Sequence, residues 1–129
     1  MPIRELTLEE CAAVLGRTQV GRLACARFDQ PYIVPIYFSF DRPKNWLYAI
    51  SVVGQKIDWM RENPKVCLEV EEIADSHNWT TVVVFGRYEE LGPTKDHAEI
   101  RRRAETLLTE RAGSWGWCGS RKLGPRSMP

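Results

Sequence analysis

The chain has 129 residues, enough for one domain with a real core and little more. Its 18 Lys and Arg against 17 Asp and Glu give a net charge of +1, which argues against the basic excess of an electrostatic nucleic-acid binder. No apolar run approaches the roughly 20 residues of a membrane span, and the opening "MPIRELTLEE" has no apolar segment of a secretory signal, so a cytoplasmic protein with no nucleic-acid or membrane partner is expected.

"TLEE" at Thr7 to Glu10 reads as a capping box. Leu8, Cys11, Ala12 and Leu15 then recur at helical spacing, with Gly16 as the expected C-cap. Val20 to Phe28 is the first strand and Asp29 to Pro31 its turn. Tyr32 to Phe40 is the second strand, in which Tyr32, Val34, Ile36, Phe38 and Phe40 share one face. Pro35 donates no ladder hydrogen bond, so that strand is unpaired, bulged or at an edge there. Trp46 to Ile50 is a third strand, Gln55 to Glu62 a helix, Lys65 to Glu72 a fourth strand and Trp79 to Leu91 a fifth. Thr94 caps a last helix with Ile100, Ala104, Leu107 and Leu108 as its buried stripe. Short turns between the first three strands predict an antiparallel meander, and a sheet of five or more strands removes its edges by closing into a small barrel. The expected organisation is a domain over 1–112 and an irregular tail over 113–129, the latter carrying Trp115 and Trp117.

Four cysteines, Cys11, Cys25, Cys67 and Cys118, form no CxxC pair, which suggests neither a metal cluster nor a disulfide framework. Cys25 and Cys67 read as small core residues. Arg101 to Arg103 fan around a helix turn and read as a solvated face; His97 reads as solvated too.

"SVVGQK" is the stretch that points to chemistry. A strand enters, Gly54 permits a tight or left-handed turn, and a helix begins at Gln55 with Lys56 in its first turn. The first N–H groups of a helix have no internal partners and its dipole makes that end positive, so a lysine there is locally unfavourable. Spacing alone leaves two readings: a solvated lysine in an ordinary turn, or a cation that helps the helix tip hold an anion.

Five segments in order decide between them: Gly21-Arg22-Leu23-Ala24, Pro31-Tyr32-Ile33-Val34-Pro35-Ile36, Gly54-Gln55-Lys56, Asn63-Pro64-Lys65-Val66-Cys67 and Val84-Phe85-Gly86-Arg87. Over about residues 5 to 110 the chain resembles the pyridoxamine 5′-phosphate oxidase-like flavoproteins, above all their small subgroup that includes nitroimidazole-resistance-type reductases. The resemblance implies a mainly β (α+β) fold, an antiparallel six-stranded split β-barrel with flanking helices, assembled as a homodimer with FMN in clefts at the interface. It implies that Val34, Pro35 and Ile36 run beside the isoalloxazine ring, that Ser51, Gln55 and Lys56 bind the phosphate, and that the partner supplies Asn78, Trp79, Thr80 and Thr81.

The implied activity is hydride transfer from a reduced nicotinamide through FMN to a small-molecule substrate such as a nitro compound or quinone, with no catalytic side chain assigned. Two alternatives stay open: a haem-binding or haem-degrading relative, for which His77 is the first axial candidate, and a non-catalytic binder of flavin or deazaflavin. The chain departs from the family pattern in two places. No alternating strand is visible after the last helix, and the arginines of the full-length pyridoxamine phosphate oxidases are not recognisable, so vitamin B6 oxidation is not predicted.

Overall fold

The computed structural model describes residues 3–50 and 54–112. Ser51 and the tail from residue 113 lie outside the described residues. Helix α1 (Leu8–Arg17) begins with the expected capping box: Glu10 N–H donates to the Thr7 hydroxyl at 3.1 Å and Thr7 N–H donates to the Glu10 carboxylate at 3.0 Å. Its end differs from expectation. The helix runs past Gly16 through Arg17, and Thr18 caps it in an extended conformation, with its N–H and its hydroxyl both donating to the Val14 carbonyl. The buried face is Val14 and Leu15, whereas Leu8 is 90% exposed; Leu6, just before the cap, enters the core at that end instead.

Four strands form the main sheet, in the order β2–β1–β5–β6, all antiparallel neighbours: β1 (Val20–Arg27), β2 (Gln30–Tyr37), β5 (Lys65–Asp75) and β6 (Asn78–Arg87). The β1–β2 turn is Phe28–Asp29, both at positive φ (50° and 63°), and Pro31 belongs to β2 rather than to the turn. The Arg27 guanidinium lies over the Phe28 and Trp59 rings, 5.4 and 5.2 Å from the two centroids. Pro35 pairs in register with Arg22 on an edge strand, where its missing donor costs nothing. Gly21 is fixed by close approach: a Cβ there would meet Leu68 Cδ1 at 2.9 Å and the Glu69 carbonyl at 3.1 Å.

The second predicted strand is in fact two. At Phe38 the chain leaves the main sheet, and Ser39–Asp41 (β3) pairs with Trp46–Tyr48 (β4) as a separate two-stranded sheet. The third predicted strand therefore pairs with the end of the second, not alongside its whole length. Four strands plus two are consistent with a split barrel. The fifth predicted strand ends at Arg87, short of Leu91. Helix α2 spans Gln55–Glu62 as expected. The last helix is preceded by a 3-10 turn (Lys95–His97), and α3 proper spans Ala98–Ala112. Among the described residues no helix is long and apolar enough to cross a membrane.

Three apolar clusters hold these parts together. Val14, Leu15, Phe38, Leu68, Val70 and Val82 join α1 to the sheet; Cys25, Ile57 and Met60 join α2; Tyr48, Ala104 and Leu108 join α3 to the small sheet. Cys67, expected in the core, is half-buried and pairs with Phe85 on the opposite sheet face. Of Arg101 to Arg103, read as a solvated face, Arg102 and Arg103 are exposed and Arg101 is half-buried, but Arg103 is also engaged across the fold. It grips the carboxylate of Asp41 through Nε and through Nη2 (2.8 Å), and the Tyr48 hydroxyl donates to the same carboxylate at 2.9 Å. Asp41 is 1% exposed, so this is a buried anion supplied with every donor it needs. The Arg103 guanidinium, more than burial opposes it, holds the Asp41 pKa down at about 2.

Asp41→Asn should destabilise the fold by about 1–3 kcal/mol, because a charge-assisted pair is replaced by a weaker one. Arg103→Met should cost more than the Asp41→Asn/Arg103→Met double variant, since it strands a buried carboxylate. The folded pKa lies below the ordinary value of about 3.9, so the contribution is full above about pH 4 and fades as pH falls towards about 2. Chemical denaturation of the four proteins between pH 2 and 7 checks this; a double variant no better than Arg103→Met would refute the buried-anion account.

Candidate functional site

Helix α2 starts without the usual side-chain help. Its N-cap, Gly54, has φ −168° and ψ −162°, an extended conformation open to any residue, so of the tight or left-handed turn that a glycine permits there, the left-handed form is not used. Gly54 offers no side chain to cap the first turn, and among the described residues no side chain is seen to take the leading backbone N–H groups. Gln55 is half-buried at the first position. Lys56 follows, and it is not a solvated lysine: it is 8% exposed and sits on the buried side of α2 with Ile57 and Met60.

Burial there acts on the charge. Desolvation pushes the Lys56 ammonium below the ordinary lysine range, partly offset by Cys25. The same burial pushes the Cys25 thiol up, with Lys56 opposing. Among the described residues no carboxylate forms an ion pair with Lys56; the nine pairs found there engage arginines alone. A cation at the positive end of a helix dipole, taken out of water and lacking a carboxylate, is a site whose local energy an anion would improve.

Lys56 opens onto a cleft of about 730 Å³ between the inner face of the main sheet, the small sheet, α2 and α3. Ile36, Phe40, Leu68, Val84 and Leu108 belong to its wall. The register explains why: Val34, Leu23, Leu68 and Val84 form one row across four strands on the inner face, while Pro35, Arg22, Glu69 and Val83 form the next row on the outer face. Of the expected ring-side residues, Ile36 thus shares the cleft with Lys56, Val34 is half-buried on the same face, and Pro35 points the other way.

Asn78, Trp79 and Thr80 line a different, open cleft of about 680 Å³ with Ile3, Arg4 and His77. Within one chain the fold does not bring them to Lys56. Asn78 is engaged with Asp75 through its backbone N–H (2.9 Å) and its amide, Trp79 is 58% exposed, and Thr81 is exposed one residue further along β6. His77 is exposed at the β5–β6 turn, its Nδ1 3.1 Å from the Ser76 hydroxyl. His97, read as solvated, is half-buried and its Nδ1 accepts the Gly92 N–H at 3.2 Å.

Two features escape the sequence reading. Asp41, Tyr48 and Arg103 fasten α3 over the cleft, and burial first, then the Asp41 hydrogen bond, pushes the Tyr48 phenol up to about 12. Arg103 lies one residue before the buried Ala104 and four before Leu107, so its place at the edge of the α3 stripe was available as a signal. The other is the Tyr32 hydroxyl, buried with no hydrogen-bond partner among the described residues beside Trp59, whose ring centroid is 5.4 Å away; no pattern in the sequence announces it.

Comparison with known proteins places this geometry. The family model described as pyridoxamine 5′-phosphate oxidase matches residues 7–127. An uncharacterized protein of Rhizobium meliloti (strain 1021) is 46% identical over 115 residues, covering 89% of this chain and 75% of the relative. The crystal structure of an FAD-binding protein from Mesorhizobium loti is 42% identical with a TM-score of 0.76, over 90% of this chain and 83% of that one. A haem-binding protein from Mycobacterium smegmatis is similar in fold alone, at 16% identity and a TM-score of 0.65, over 88% of this chain and 48% of that one.

Lys56→Met should raise the unfolding midpoint at neutral pH in the absence of ligand, since it removes a desolvated cation. In the parent protein the folded pKa of Lys56 is depressed, so the unfolded chain binds more protons between the two pKa values and stability rises with pH up to about 10.4. Thermal unfolding from pH 6 to 10.5 should show that rise flattened in the variant; a variant less stable at every pH would mean that the ammonium is well partnered in the native state.

Proposed function

The chain belongs to the pyridoxamine 5′-phosphate oxidase family, and from that premise we propose that it is a flavoprotein that binds the riboflavin-phosphate moiety of FMN and works as an oxidoreductase. The observation that carries the proposal is Lys56: a buried cation with no carboxylate partner among the described residues, in the first turn of a helix whose N-cap, Gly54, has no side chain to cap it. Open N–H donors and an ammonium together are what a phosphate requires. The 42% identical relative named as FAD-binding supports a flavin, and FAD contains the same riboflavin-phosphate unit.

Gln55, Lys56 and the first N–H groups of α2 would hold the phosphate, and Val34, Pro35 and Ile36 would flank the ring. A bound flavin supplies hydride acceptance and donation at its N5, the step between a reduced nicotinamide and a small acceptor. The chain's own part is to fix the phosphate, seat the ring against apolar side chains and keep water away from it.

A homodimer completes the reading. The outer sheet face carries an apolar row, Ile33–Ala24–Cys67–Phe85, with Ile33 60% and Phe85 84% exposed. Val83 and Pro35 flank that row, and Arg22 bridges Glu69 and Glu71 at its centre. Exposed apolar residues of this kind, set around a central ion-pair cluster, suit an interaction surface. A second copy would cover it and would also bring Asn78, Trp79, Thr80 and Thr81 to a cleft that their own chain leaves them out of.

Purified protein titrated with FMN should acquire a perturbed flavin spectrum, and Lys56→Ala should weaken binding by about 1.5–3 kcal/mol through loss of one charge-assisted contact. A protein that leaves the spectra of both FMN and FAD unchanged is not a flavoprotein. Phe85→Asp should convert a dimer to a monomer in light scattering and lower flavin affinity with it; a parent protein already monomeric would remove the shared-cleft reading while leaving the phosphate site standing.

A further inference from the structure

The inner cleft has a lining that defines a ligand class of its own. Its exposed charged residues, Arg87, Glu89, Glu90 and Glu105, stand at the mouth, and half-buried Arg101 pairs with Glu105 at 3.9 Å. The two phenols in the wall are already engaged, Tyr48 donating to Asp41 at 2.9 Å and Tyr88 to Glu90 at 2.7 Å. Asn45 is exposed and Trp46 half-buried at the small-sheet end; among the described residues the rest of the lining is mainly apolar surface from all three core clusters, with one buried ammonium, Lys56. The volume, about 730 Å³, lies within the range of small-molecule sites.

We propose that this cleft binds an apolar molecule carrying a single anionic group, the anion resting on Lys56 and the apolar body lying between the sheet and α3. The chemistry selects against sugars and free bases, whose several donors and acceptors would be buried there unpaired. It selects against neutral hydrocarbon as well, because that would leave the ammonium desolvated beside it. The shared chemistry is a long alkyl or flat apolar body ending in a carboxylate or a phosphate monoester. The inference goes beyond the flavin reading. Both draw on Lys56, so occupancy of the cleft should weaken flavin binding.

The test uses the full-length protein and three probes below their micelle concentrations: dodecanoate, dodecyl phosphate and dodecanol, followed by calorimetry. Both anions should bind about ten-fold or more tightly than the alcohol, the factor expected of one charge-assisted contact. A preference between the two anions identifies the head group. Lys56→Met should erase the difference while retaining dodecanol binding, and Ala104→Leu, which fills the wall, should weaken all three. No binding by any probe, equal binding by all three, or discrimination that survives in Lys56→Met would overturn the proposal. The comparison of anion with alcohol on the parent protein holds even if a variant misfolds. Binding of either anion without flavin binding defeats the flavin reading alone; flavin binding with no binding of any of the three probes defeats this one alone.

Discussion

The rest of the architecture depends on the chain changing sheets at Phe38. Up to Tyr37 the backbone pairs with β1; the Phe38 N–H then donates to the Gln19 carbonyl at 3.0 Å, and the next three residues pair with β4 instead. Phe38 itself is 1% exposed, and its ring is held by α1 and the centre of the main sheet. Anchoring the bend in the core keeps the small sheet at an angle to the large one rather than continuing it. The space left between the two sheets is the inner cleft, and Asp41, three residues past the bend, is where Arg103 ties down the helix that roofs it. Bend, cleft and roof are one construction.

Lys56 is the conflict inside that construction. A minimally frustrated sequence would put an apolar residue on the buried side of α2, as it does at Ile57 and Met60. The lysine instead carries a desolvated charge at the wrong end of a helix dipole. Local choices that disagree with the global fold concentrate at functional sites, where the missing interaction comes from a ligand. The flavin phosphate and the anionic group of a cleft ligand are the two proposed ways of supplying it.

The two faces of the main sheet divide the work. Period-two alternation turns Val34, Leu23, Leu68 and Val84 inward, where they build the core and the cleft wall. The same alternation turns Ile33, Ala24, Cys67 and Phe85 outward, where the two edge residues, Ile33 and Phe85, are exposed. One chain therefore carries a cation beside an apolar cleft and, apart from it, an apolar face flanked by the Asn78–Thr81 segment. The proposed homodimer is the arrangement that would bring the two together.

Much of this was legible in the residues themselves. The capping box at Thr7, helix α2 to its boundaries, the pairing of β1 with β2 and the edge position of Pro35 follow from local rules, because caps, turns and side-chain alternation act over a few residues. The family was legible too, since five short segments kept their order. Other features were out of reach for one physical reason: they are set by contacts between segments distant in the chain. The alternation of Tyr32 to Phe40 reads as one strand, and only the docking of Phe38 under α1 divides it. Arg103 looks like its two neighbours until Asp41, 62 residues away, claims it. Lys56 has the same sequence spacing whether solvated or buried, and the packing of α2 against β1 alone decided that its charge lies inside. Sequence by itself determined the elements and the family; tertiary structure decided which charges are buried, because burial belongs to neighbours that the local chain does not choose.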